Sequence, residues 1–317
     1  MNILCTAPFE DSHRRTVEKA AAGCDLRFCQ GSELTNADVD SADIIIGNIP
    51  PELLAAPPRL KLLQLVSAGT DGYTAKGVLH PDTVLANATG AYSKTVSEHA
   101  LALTMTLQKK LYLYRDEQLK ASWRDRGQVK SLADSTVLIA GLGDIGRSYA
   151  KLVKSLGAYV IGVKRRASDK PDCVDELYMT ADIMRVLPRA DVVFSVLPNT
   201  AATSHFYTRE MFAAMKRDAV FINCGRGSAV ASELLREVLS EGLIEAAAID
   251  VAETEPLPES SPLWSLENLV ITPHVSGGFH LPDTLNEIAR IAAGNITAVL
   301  NGQPIRNTVD LATGYKK

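Results

Sequence analysis

Short apolar runs alternate with longer stretches of helical periodicity along almost the whole chain. In the first third the runs fall at residues 3–5, 26–29, 44–47, 62–66 and 84–87, with helical patterns such as 12–22 between them. From about Ser135 the rhythm repeats with stronger runs at 137–140, 159–163, 192–197, 220–223, 247–251 and 269–272. Strand, helix, strand at this spacing is a crossover unit, and crossover units build parallel sheets. Two such series predict two doubly wound parallel-sheet α/β domains.

Between the series, "TVSEHALALTMTLQKKLYLYRDEQLK", residues 95–120, keeps helical spacing for several turns and Ser97 is placed to cap it. It predicts one long helix opening the second domain. A last helical pattern covers about 281–300, and the residues after it are too few for a third domain, so they are expected to return to the first. The expected division is therefore 1–96 plus 279–317 for one domain and 97–278 for the other.

Composition changes this picture little. A chain of 317 residues suits two domains, and 46% apolar with 22% charged residues is ordinary globular composition. The net charge of −4 draws the protein to neither nucleic acid nor anionic membrane. No apolar run approaches the roughly 18 residues of a membrane span, and "MNILCTAPFEDSHRR" does not read as a signal peptide. Cys5, Cys24, Cys29, Cys173 and Cys224 are scattered, with no C-x-x-C pair. That pattern predicts a reducing compartment, the cytoplasm, with no disulfide framework and no zinc site.

The chemistry begins at "STVLIAGLGDIGRSYAKLVKSLGAYVIGV". Gly141, Gly143 and Gly146 form G-x-G-x-x-G after an apolar run and before an amphipathic helix whose Ile145, Tyr149, Leu152, Val153 and Leu156 are expected to face inward. That context is what makes the pattern a dinucleotide-binding fingerprint. The first glycine allows a tight turn, the second lets backbone approach a pyrophosphate, and the third lets helix pack on strand. Asp144 and Ile145 sit in the same turn and count with the cofactor-binding residues.

The next strand ends in "VIGVKRRAS". An acidic residue at this place would bind the ribose 2′-hydroxyl of NAD. Here stand Lys164, Arg165 and Arg166, with no carboxylate before Asp169. Cationic donors suit a 2′-phosphate, so the run favours NADP over NAD; a solvated basic turn is the other reading.

Ligands of open α/β sheets bind beyond the carboxyl ends of the strands. The later strands end in "PNTAATSH", "CGRGS", "AETEPLPES" and "PHVSGG". Hydride transfer to a ketone needs a proton donor, a cation to orient the substrate and a wall for the nicotinamide. His274, close behind its strand, suits the donor. Glu255 is its candidate partner, since a neighbouring carboxylate favours imidazolium. Arg226 is the candidate clamp for a carboxylate or keto oxygen. Asp250 is placed to accept from the nicotinamide carboxamide, and Pro198, Thr203 and the backbone of Cys224 are expected to border the cofactor. His99 on an apolar helix reads as a packed histidine, and Trp123 and Trp264 as packing residues.

At these residues the sequence resembles the D-isomer-specific 2-hydroxyacid dehydrogenase family, in members similar to glyoxylate/hydroxypyruvate reductases. "LIAGLGDIGRSYAKLVKSLGAYVIG", "INCGRGSAV", "AAIDVAETEPLPESSPLW" and "NLVITPHVSG" carry the resemblance, with "LLQLVSAGTDGY" and "VSEHALAL" earlier in the chain. It implies a flavodoxin-like substrate domain, a Rossmann nucleotide domain and a cleft between them. It also implies Arg226, Glu255 and His274 as catalytic trio, substrate-carboxylate binding by Ser67, Ala68 and Gly69, and a homodimer formed through the nucleotide domain. Lys164 stands where the family usually has an acid, and Tyr92 where it often has asparagine. The expected reaction is reduction of a short 2-keto acid with NADP(H). The same chemistry with NAD(H), or on a larger acid such as phosphoglycerate, stands beside it. So does a dinucleotide-sensing, corepressor-like binding protein.

Overall fold

The apolar runs become strands because crossover helices bury them on both faces. Ile44, Ile45 and Ile46 show it most simply, since none keeps any exposed surface. In the structure, a computed structural model describing residues 1–30, 33–312 and Gly314, the chain divides into two compact units. One is Met1–Tyr92 with Phe279–Lys317; the other is Ser93–Gly278. Gly31, Ser32, Thr313 and residues 315–317, all in the expected first domain, lie outside the described residues.

The first unit contains β1 (Asn2–Cys5), α1 (Asp11–Ala20), β2 (Asp25–Phe28), α2 (Asn36–Ser41), β3 (Ile44–Ile46), β4 (Leu62–Gln64) and β5 (Val84–Ala86). Its sheet runs β2-β1-β3-β4-β5, parallel throughout, which is the flavodoxin-like order. The C-terminal helix Pro282–Leu300 belongs to this unit: Asn295 Nδ2 donates to Gln64 Oε1 at 2.6 Å. Beyond it Thr308 bridges antiparallel to Ala86, and the Val309 amide donates to the Leu85 carbonyl at 2.8 Å.

The second unit opens with α3 (Ser93–Gln108) and α4 (Leu111–Leu119). Then follow β6 (Thr136–Ala140), α5 (Asp144–Ser155), β7 (Tyr159–Lys164), β8 (Glu176–Met179), α6 (Ile183–Val186) and β9 (Val192–Ser195). The rest are α7 (Arg209–Ala214), β10 (Val220–Asn223), α8 (Ser232–Ser240), β11 (Ala246–Ile249) and β12 (Leu269–Ile271). All seven strands are parallel in the order β12-β11-β10-β9-β6-β7-β8. The order reverses at β6 and β9, so a crevice opens beyond their carboxyl ends. Phe221 of β10 meets Tyr207 and Phe212 edge-on, with centroids 4.8 and 5.2 Å away.

Four expectations are corrected. The single helix over 95–120 is two, because Lys110 takes a left-handed conformation (φ +55°) that ends one helix and starts the next. The lysines there leave the helix for tertiary partners, Lys109 to the Lys130 carbonyl at 2.7 Å and Lys110 to Glu245 at 3.1 Å. Ser97 caps nothing; it is buried inside α3, and its hydroxyl donates to the Lys94 carbonyl. Leu156 follows the end of α5 and is exposed rather than inward. Trp123 and Trp264 are not core residues: the first is fully exposed and the second half-exposed, its indole N–H donating to the Pro258 carbonyl at 2.9 Å.

Candidate active site

The glycine turn has the shape a dinucleotide requires. Gly141 leaves β6 with φ +103°, and a Cβ there would lie 2.7 Å from the Val196 carbonyl oxygen at the end of β9. A Cβ on Gly146 would lie 2.1 Å from the Gly141 carbonyl oxygen, so this glycine is what lets α5 sit on the turn. Gly143 differs. Apart from its chain neighbours, no atom of the described residues lies within 4 Å of its would-be Cβ, so packing leaves the space over it clear. That space adjoins the N-terminus of the 12-residue α5, whose amides and dipole favour an anion. The turn therefore fits a pyrophosphate. Asp144, first residue of α5, accepts from the Ser93 hydroxyl, and Ile145 is half-buried behind it.

At the end of β7, Lys164 is half-buried and its ammonium donates to the Ser168 hydroxyl at 2.6 Å. Arg165 and Arg166 are exposed. Pro198 is exposed on the loop after β9, where Thr203 folds back on it: the Thr203 hydroxyl lies 2.5 Å from the Pro198 carbonyl and accepts from the Thr200 amide at 3.0 Å. Thr203 thus shapes this loop from within.

Beyond β10 the chain passes Cys224, buried, with its thiol pushed well above the ordinary value by burial and then by the charge of Asp250. Such a thiol is inert. Gly225 and Gly227 admit no side chain: a Cβ on the first would meet the Leu197 carbonyl at 2.5 Å, on the second the Ala252 carbonyl at 1.9 Å. Arg226 between them is half-buried, and Asn223 Nδ2 donates to its carbonyl at 3.1 Å.

The turns after β11 and β12 meet. His274 Nδ1 lies 2.7 Å from Glu255 Oε2, and Glu255 Oε1 accepts from the Ala252 amide at 2.9 Å. An ionised carboxylate can only accept, so Nδ1 carries the hydrogen and Nε2 is left as the ring's second nitrogen. Both side chains are partly open, His274 at 48% and Glu255 at 37% exposure. The pair borders a cavity of about 450 Å3, whose walls include Val251, Leu257, Trp264 and Ile271.

Asp250 does something the sequence did not suggest. Its carboxylate, in a residue only 1% exposed, accepts from the Thr272 hydroxyl (2.6 Å), the Val275 amide (3.0 Å) and the Ser276 amide (3.1 Å). It holds the turn that carries His274. His99, read as a packed histidine, reaches Thr272 Oγ1 with Nε2 at 3.1 Å. A second histidine–carboxylate pair, His205 with Glu253 at 2.8 Å, was also missed; Glu253 is held below its ordinary value chiefly by the Ser232 amide.

Ser67, Ala68 and Gly69 belong to the first unit and follow β4. Their carbonyls are taken by the Ala88 amide, Asn87 Nδ2 and the Ser67 hydroxyl respectively. Tyr92 is buried, its phenol pushed up to about 12 by burial, and donates to the Val66 carbonyl at 2.6 Å.

Comparison with known proteins places these features. Residues 101–276 match the D-isomer specific 2-hydroxyacid dehydrogenase family, NAD binding domain. The glyoxylate/hydroxypyruvate reductase B of Pectobacterium atrosepticum is 30% identical over 272 residues, 83% of each chain. A D-isomer specific 2-hydroxyacid dehydrogenase family protein from Aeromonas salmonicida is 30% identical with a TM-score of 0.86, covering 98% of this chain and 99% of its own. An NADPH-dependent glyoxylate/hydroxypyruvate reductase from Sinorhizobium meliloti, solved with NADP and sulfate, gives a TM-score of 0.85 at 26% identity over 99% of each chain.

Proposed function

This chain belongs to the D-isomer specific 2-hydroxyacid dehydrogenase family, and on that premise we propose that it reduces short 2-keto acids to D-2-hydroxy acids with NADPH. The observation that carries the reading is the His274–Glu255 pair at neighbouring strand ends of a nucleotide-binding sheet. The bound nicotinamide supplies the hydride. Glu255, fixed by the Ala252 amide, holds and orients the imidazole ring by Nδ1. His274 Nε2 then gives its proton to the oxygen that gains charge at C2, and takes it back in the reverse direction. Arg226 orients the substrate carboxylate, a planar fork matching a planar anion. The amides of Ser67, Ala68 and Gly69 are offered as donors to a substrate carboxylate, which suits a loop whose carbonyls are committed elsewhere.

Lys164, Arg165 and Arg166 favour a 2′-phosphate, and the Sinorhizobium relative was solved with NADP. Asp250, which holds the turn, is also placed to accept from the nicotinamide carboxamide, since three hydrogen bonds leave its carboxylate further acceptor capacity. The assembly proposed is a homodimer. Leu111, Leu119 and Trp123 leave large apolar groups exposed on α4 and the loop after it, a surface that a second copy of the chain would cover. No helix among the described residues is long and apolar enough to cross a membrane, and five scattered cysteines favour the cytoplasm. Loss of NADPH absorbance on adding glyoxylate or hydroxypyruvate tests the activity. Turnover that disappears in His274→Ala supports it, and absence of turnover with either acid overturns it.

A further inference from the structure

We propose that Thr95 and His99 of α3 are positioning residues that hold the catalytic turn of His274. That turn is strained. His274 has φ +52°, a region that side chains other than glycine enter only where surrounding contacts hold them. Within the turn, its amide donates to the carbonyls of Asp250 at 2.7 Å and Thr272 at 3.0 Å. The buried Asp250 carboxylate collects Thr272, Val275 and Ser276 around it.

The donors fix the direction of the next bond. Thr272 has one hydroxyl proton, and at 2.6 Å it goes to Asp250 Oδ1. Thr272 Oγ1 must therefore accept from His99, whose Nε2 carries the hydrogen across 3.1 Å. The same nitrogen stands 3.8 Å from Asp250 Oδ1. One helical turn earlier, the Thr95 hydroxyl donates to the Ser276 carbonyl at 3.0 Å. Residues four apart lie on one face of a helix. Thus α3 grips the first and last residues of the 272–276 turn, with His274 at its centre. Without His99 the Thr272 oxygen loses its donor, and the geometry that brings the His274 ring to Glu255 is less firmly set. Small displacements of a reacting group cost catalysis steeply, about 100-fold for 1 Å.

The proposal rests on His274 as proton donor, so His274→Ala is assayed beside the test variants. His99→Leu is expected to lower kcat by about tenfold or more while the KM for NADPH stays within about twofold. His99→Gln, whose side-chain N–H can still reach Thr272, should recover most of the loss, and Thr95→Val should lower kcat in the same manner. Full kcat in His99→Leu and Thr95→Val, with His274→Ala inactive, would overturn the positioning role and leave the proton donor standing. Equal losses in the Leu and Gln variants would overturn it too, since a packing role predicts no rescue by a donor. Should His99→Leu fail to fold, Thr95→Val decides alone: a lower kcat at unchanged cofactor KM supports the proposal, and full kcat contradicts it. An unchanged kcat in His274→Ala would instead overturn the reading of the site on which it rests.

Discussion

His274 Nδ1 lies 2.7 Å from Glu255 Oε2 although 19 positions of sequence separate them. The contact exists because β11 and β12 are parallel neighbours in register, Ile249 opposite Ile271, so the turns leaving both strands emerge on the same edge. Each partner is held again from behind, Glu255 by the Ala252 amide and the His274 amide by the Asp250 carbonyl. A base or acid built this way costs little reorganisation when the proton moves.

Replacing His274 by alanine removes the proposed proton donor and leaves the glycine turn untouched. The expected result is a fall in kcat of about 10²–10⁴-fold with nearly unchanged NADPH affinity, measured by steady-state kinetics and by titration of cofactor fluorescence. An unchanged kcat would move the acid elsewhere.

Gly146 and Gly143 of the turn should respond differently to one added methyl. Gly146→Ala drives a Cβ against the Gly141 carbonyl and should cost about 1–3 kcal/mol of stability. Gly143→Ala meets no protein atom and has an unstrained backbone (φ −77°), so its thermal stability should hold. Its cofactor affinity should drop roughly tenfold or more, as expected when about one charge-assisted hydrogen bond is lost. Calorimetric melting and cofactor titration of both variants check the contrast.

Arg165→Ala with Arg166→Ala should weaken NADPH binding by about 10–100-fold, the span of one or two charge-assisted hydrogen bonds, and leave NADH binding nearly alone. Both side chains are exposed, so raising the salt concentration should erode the NADPH preference of the parent enzyme. A preference indifferent to salt and to both substitutions would assign the run to a solvated turn.

Acid stability should depend on Asp191, which ties the start of β9 to the start of β6. Burial raises its pKa, but the Thr136 amide, Lys216 and Lys130 outweigh that and hold the carboxyl below its ordinary value. A depressed native pKa stabilises the fold above the unfolded value of about 3.9, and the gain is lost as pH falls through the native one. Asp191→Asn should therefore cost about 1–3 kcal/mol at pH 7, with the difference from the parent shrinking below about pH 4. Urea unfolding across pH 3–7 reads this directly.

What the sequence disclosed follows from what is local in it. The glycine turn, the Lys164–Arg166 run and the positions of Arg226, Glu255 and His274 all lie at strand ends. A strand end is visible wherever an apolar run stops, so two doubly wound sheets and the polar groups at the strand ends of the second could be read before any contact was known. The edge strand β8 was not seen, because "ELYM" is half-buried throughout and forms no apolar run. The break at Lys110 was not seen because its cause is tertiary: lysine amines reach Lys130 and Glu245, far along the chain. The turn-holding role of Asp250 was not seen, because it depends on amides that fold back from beyond β12. For His99 no signal stood out, since α3 carries polar residues on every turn, Ser97, Glu98, Thr104 and Gln108 among them. Its partner Thr272 lies 173 positions away and could not be named.

The most direct test of the account is kcat/KM of the intact protein for NADPH and for NADH, with glyoxylate and hydroxypyruvate as acceptors. Turnover of both acids is expected, with an NADPH preference of about tenfold or more, as charge-assisted contacts to a 2′-phosphate would give. Equal or better use of NADH would contradict the role given to Lys164, Arg165 and Arg166, and no turnover with either cofactor would contradict the substrate class.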